Sequence, residues 1–137
     1  MGTLLKIHGD VRWVIVLVAL IAVIRLVWGL LREKSYDRLT QMSMMAFSTV
    51  IDIQVLLGLI YFIWNGAKDG YWPTYRFEHA ITMAIAVMIA HLPMRWRTAA
   101  APIRFRNDLA AVLVTMLVIV IGVARLPGSD RWLQLGS

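Results

Sequence analysis

The chain has 137 residues, 60% of them hydrophobic, with a mean hydropathy of +0.70, which excludes a soluble fold: soluble domains carry about 45–50% apolar residues, and so small a one could not hide the excess. The absence of cysteine excludes disulfides, thiolate metal sites, cysteine-held iron–sulfur clusters and covalent c-type haem. The net charge of +6 would suggest nucleic acid only if the basic residues gathered on a soluble face. They lie instead between apolar stretches, where they set topology and meet lipid headgroups, so no nucleic-acid partner is expected.

A helix needs about 20 apolar residues to cross a bilayer. Four stretches qualify. The first runs from about Val11 to Leu31, broken only by Arg25, and the second from about Met42 to Trp64, with Asp52 and Gln54 inside it. The third, from about Phe77 to Leu92, is short and ended by Pro93; the fourth, from about Leu109 to Leu126, is stopped by Pro127 and Gly128. None shows strand alternation, and in lipid only a helix or a closed barrel satisfies its own backbone. The expectation is a single all-α domain over 1–137, a four-helix transmembrane bundle with both termini on the same side. The first stretch is too long for a signal peptide and lacks a small-residue cleavage site, so it reads as a retained helix.

Short connections predict antiparallel packing of neighbours. Ala80 and Ala84, then Ala86 and Ala90, recur four apart and would let the third helix approach its partners closely. One face carries both termini and the loop from Asn65 to Tyr75. The other carries the loops from Arg32 to Leu39 and from Pro93 to Asn107, with Arg32, Lys34, Arg38, Arg95, Arg97, Arg104 and Arg106. The termini face holds Lys6, Arg12, Lys68, Arg76, Arg125 and Arg131, so the bare counts are close. The compact arginine cluster around Pro102 is the stronger topological signal. It predicts the loop face inside and the termini outside.

Polar residues within spans are costly and often functional. His8 and Arg12 are four apart, on one face of the first helix, and Trp13 follows at an interfacial position. Glu78 and His79 open the third helix, with Met83 one turn on. The first and third helices run in the same direction, so His8 and His79 should lie at one depth. Two imidazoles on different helices can ligate a haem iron from its two sides. Ala86 and Ala90 continue the His79 face and leave room for a macrocycle. Arg12 and Arg76 are placed to meet its propionates, and Glu78 either bonds a ligand imidazole or pairs with Arg12. The plain alternative is that both histidines are tolerated interfacial polar groups.

His91 is twelve residues from His79, about 18 Å by helix rise, so the two cannot share one metal. It reads as an interfacial residue or as part of a second haem or quinone site. Arg25 and Asp52 lie on antiparallel neighbours, and a buried pair between them would lower the cost of both charges; Ser48 is one turn from Asp52. Gln54, with Gly58 on its face, is placed to bond across helices or to a cofactor. Met42, Met44, Met45, Met83, Met88 and Met94 read as apolar filler more readily than as copper(I) ligands. No phosphate loop, zinc signature or nucleophile–base motif occurs.

His8-Gly-Asp-Val-Arg12-Trp13, then Asp52-Ile-Gln54-Val-Leu-Leu-Gly58-Leu59, then Glu78-His79 followed by Met83, resembles a group of small bacterial four-helix membrane proteins, labelled cytochrome-b-like or uncharacterised. The likeness in order and spacing runs over nearly the whole chain. The resemblance implies haem b, with His8 and His79 at the matching ligand positions, in a bacterial cytoplasmic membrane. The chain lacks the further helix-borne histidine pairs of larger two-haem cytochromes. The first expectation is therefore a small electron-transfer protein or subunit holding one haem near the outer face, exchanging electrons with quinone or a larger partner, and not itself necessarily an enzyme. The second is a cofactor-free accessory subunit of a larger membrane complex or a homo-oligomer. The third is a small transporter or metal-handling protein using Asp52, Arg25 and the methionines.

Overall fold

The structure, a computed structural model, describes residues 2–126. Among them lie four long helices: α1 (Gly2–Leu31), α2 (Arg38–Asp69), α3 (Thr74–Ala90) and α4 (Ala101–Ala124), with a short 3₁₀ segment, Leu92–Trp96, between α3 and α4. Counting that segment with α3, each is long and apolar enough to cross a membrane. The chain is thus an all-α bundle with the make-up of a multi-pass membrane protein. The proposed stop at Pro127 and Gly128, and Arg131, lie outside the described residues.

The helices reach beyond the apolar stretches at several ends. An apolar stretch marks only what lipid covers, whereas capping groups decide where a helix stops. α1 starts at Gly2, so His8 sits inside a helix. α2 begins where Asp37 accepts hydrogen bonds from the Thr40 backbone N–H (2.9 Å) and hydroxyl (2.6 Å), an N-cap for otherwise unpaired donors. It ends at Gly70, whose φ of 63° is the left-handed turn that glycine adopts without steric cost; the Gly70 N–H closes on the Gly66 carbonyl at 2.8 Å. α4 starts eight residues before Leu109, with Pro102 in its first turn, where a missing N–H costs nothing. Arg104 and Arg106, expected in a loop, are therefore helical.

α1 packs on α2, α2 on α3, α3 on α4, and α4 closes back onto α1. Ala19, Ala22 and Leu26 of α1 face Phe47 and Ile51 of α2, Ala86 and Ala90 of α3, and Phe105, Val112 and Ile119 of α4. Small residues permit this closeness. Gly29 is one: a side chain there would overlap the Phe105 ring. The opposite faces are apolar as well, with Leu17, Leu20, Ile24, Leu56, Leu117 and Met88 all exposed. In water that would be untenable; in a bilayer it is the lipid-facing surface.

Neighbouring helices are antiparallel. Arg25 near the end of α1 meets Asp37 at the start of α2 and His8 near the start of α1 meets Gln54 at the middle of α2, while His79 meets Gly122 near the end of α4. The start of α1 and the end of α4 therefore share one end of the bundle, the termini end. At the other, the loop end, Asp108 is fully buried and accepts hydrogen bonds from the Tyr36 hydroxyl and, at 2.7 Å, from Trp96 Nε1. The Arg104 guanidinium lies 3.6 Å from the centre of the Tyr36 ring.

Candidate functional site

At the termini end the four helices enclose a cavity of about 300 Å³. α1 contributes His8 and Arg12, α2 Gln54 and Gly58, α3 Arg76, His79 and Met83, and α4 Ile119 and Val123. Helical register explains the grouping. His8 and Arg12 are one turn apart on the inward stripe of α1, and His79 and Met83 repeat that spacing on α3.

The two imidazoles meet across this space. Their ring centroids are 6.5 Å apart and their planes cross at 89°. His79 Nδ1 lies 3.1 Å from the Gly122 carbonyl. A carbonyl only accepts, so Nδ1 carries the hydrogen, and in the neutral ring Nε2 is left with its lone pair. Such a bond to a backbone carbonyl is the usual way a protein fixes the tautomer and tilt of a ligating histidine. His8 is held from the other side. Gln54 Nε2 donates to the His8 backbone carbonyl at 2.7 Å, and Gly58 leaves room for the ring, since a Cβ there would fall 2.8 Å from Cε1. His8 Nδ1 and Gln54 Oε1 are buried with no hydrogen-bond partner among the described residues.

Arg12 is buried, with its guanidinium 5.5 Å from the centre of the Trp13 ring. Arg76 lies 5.7 Å from the Tyr71 ring. The Asn65 amide, turned with its oxygen toward Arg76, accepts from both terminal nitrogens at 2.8 and 3.0 Å. Met83 packs where Gly122 leaves room: a side chain at Gly122 would overlap its methyl. His8, Arg12, Arg76, His79 and Met83 thus line one cavity. Glu78 does not face Arg12 or an imidazole. It pairs with Arg125 at 3.6 Å, both exposed, because it sits one position before His79 and so points about 100° away around the helix.

The expected Arg25–Asp52 pair does not form. Arg25 binds Asp37 at 2.6 Å, since the cap of α2 lies beside the last third of α1. Asp52 is fourteen residues past Arg38, about 21 Å along the helix. It meets His91 instead, with Nε2 at 2.8 and 3.1 Å from its two carboxylate oxygens. Ser48 bonds the Met45 carbonyl at 3.1 Å and does not join that pair.

Sequence reasoning missed three features. Asp108 was assigned to no site, although a lone acid between Arg106 and a long apolar run is the kind of group that must find donors when buried. Gly58 and Gly122 gave no sign of the rings and methyl they accommodate. Tyr61 and Tyr75, which also line the cavity, had no spacing that singled them out.

Among the described residues no group of three or more His, Asp or Glu side chains could hold a bare metal ion. Two imidazoles are too few for a four-coordinate ion but complete the ligands of an iron already held in a macrocycle. Two rings that each bind one metal at about 2 Å through nitrogen have centroids roughly 6 Å apart, close to the observed separation. No protein-family description, curated protein or solved structure matches the chain.

Proposed function

We propose that the chain is a small membrane electron-transfer protein, or a subunit of such a complex, holding one haem b between His8 and His79. One observation carries this reading: two imidazoles from different helices meet 6.5 Å apart in a shared cavity, one with Nδ1 anchored on a backbone carbonyl. Bound there, a haem supplies one-electron exchange. The protein's own residues do the rest. Gly122 and Gly58 set the two rings, and Arg12 and Arg76 offer positive charge for propionates. Ile15, Ile51, Ile119 and Val123 form an apolar wall, and burial of that kind would tune the potential of a haem held there. The volume, about 300 Å³, is at the lower end of the ~300–1,000 Å³ of cofactor pockets.

The membrane is, on this reading, the bacterial cytoplasmic membrane. The arginine-rich loop end faces the cytoplasm and the histidine end faces out. Electrons pass to a quinone or to a larger membrane partner.

The test is an absorption spectrum of the full chain purified from a haem-replete host. A Soret band and a reduced α-band are expected, both lost in His79→Ala and in His8→Ala while helicity is kept. A colourless, fully helical wild-type protein overturns the haem reading. A stoichiometric partner purified with that colourless protein then favours a cofactor-free accessory subunit.

A further inference from the structure

The Asp52–His91 pair is out of place in a lipid-facing bundle. The imidazole and carboxylate bond each other at 2.8 Å, yet their side chains are 39% and 48% exposed. They are on the outside of the bundle and not in its core. Asp52 is about 21 Å from the first residue of α2 and about 26 Å from the last, so the pair opens sideways at mid-span. Polar groups at that depth normally face the bundle interior or a hydrated cavity. This pair is on the outer face of the bundle, where a partner for its remaining hydrogen-bonding capacity can reach it from the lipid.

The surroundings limit what that is. On α2 the pair is flanked by Met45, Ile53 and Leu56, and on α3 by Ile85 and Met88, all large and exposed. Close packing of a second copy uses small residues spaced four apart, and this face presents bulky ones. Unbranched thioethers adapt instead to flat or irregular apolar shapes. A fatty acid is disfavoured, because its carboxylate would meet that of Asp52. The fitting ligand is neutral, planar and lipid-soluble, and exchanges hydrogen bonds in both directions. Asp52 only accepts, so the hydrogen on His91 Nε2 is already given to it, and the free Nδ1 accepts in the neutral ring and donates only in the imidazolium. A quinone carbonyl takes a hydrogen bond from the imidazolium; a hydroquinone hydroxyl gives one to Nδ1 or to the carboxylate.

We propose that Asp52 and His91 form a binding site, open to the bilayer, for the headgroup of a tailed benzoquinone or its hydroquinone. The site is distinct from the His8–His79 cavity, and its binding test does not require haem there.

The experiment uses the full chain in lipid nanodiscs with a photoreactive benzoquinone bearing a ten-carbon tail. Saturable labelling is expected on segments 43–56 and 84–95, displaced by the same quinone without the photoreactive group. Loss of a hydrogen bond to a charged group predicts about tenfold weaker labelling in Asp52→Asn and His91→Gln. Wild-type protein gives an independent reading. With three histidines in the chain, the His91 imidazole resonances are assignable, and they should move on quinone addition while those of His8 and His79 stay. Labelling unchanged in both variants, or spread without saturation over all helices, overturns the proposal. So does disulfide cross-linking of two Thr49→Cys copies that quinone fails to prevent, which would make the face a contact between subunits.

Discussion

Tyr36 and Asp108 are 72 positions apart in sequence, and the hydroxyl of one serves the carboxylate of the other. Tyr36 lies in the loop between α1 and α2. Its phenol is held well above its ordinary pKa, first by burial and then by donating to Asp108, so the hydroxyl keeps its proton across the whole working range. Asp108 has nowhere else to turn, being 1% exposed. Tyr36→Phe leaves the ring in place and removes one of its two donors, at an expected cost of about 1–3 kcal/mol. Chemical unfolding of the detergent-solubilised protein, followed by circular dichroism, measures it. The contrast with the histidines shows what one sequence can disclose. His8 and His79 were legible as neighbours because both sit near the start of parallel helices, so depth alone brings them together. Asp108 with Tyr36, and Asp52 with His91, depend on which way each helix is rotated. In a bundle apolar on every face, hydrophobic patterning carries little information about rotation.

The junction of α1 and α2 shows the same division at the scale of elements. Existence and order of the helices were plain from apolar length. Their ends were not, because Asp37 and Gly70 act through single hydrogen bonds. Asp37 is held at a pKa of about 2, below its usual 3.8, chiefly by the Thr40 hydroxyl and backbone N–H, then by Arg25. A carboxyl depressed by folding stabilises the folded state above its unfolded pKa, and that stabilisation is lost as pH falls through the folded value. The melting temperature should accordingly be insensitive to this group from neutral pH to about 4 and decline between about 4 and 2. Asp37→Asn retains a capping side chain but loses the charge. Its melting temperature should be lower than wild type at neutral pH and lack that part of the decline. Thermal melts of both proteins across the pH series check this; parallel curves would remove Asp37 from the account.

At the scale of the molecule, the bundle has two unlike ends. One gathers histidines and a cavity, the other a buried acid ringed by Tyr36, Trp96 and Arg104 beneath an arginine-rich rim. This polarity fixes an orientation test that the composition makes clean. With no native cysteine, Thr3→Cys and Ser35→Cys each introduce a single thiol, at opposite ends. A membrane-impermeant maleimide added to intact cells should label Thr3→Cys and reach Ser35→Cys only after lysis. The reverse pattern would invert the proposed topology. The short third helix has a consequence of its own. Seventeen residues span about 26 Å, less than the ~30 Å hydrocarbon core, and the chain continues as a 3₁₀ turn containing Pro93, whose nitrogen has no hydrogen to donate. The α-helical part of this span therefore ends at His91, and the 3₁₀ segment carries the chain the rest of the way, so the Asp52–His91 pair marks where a straight helix gives over to a tighter and less fully bonded turn.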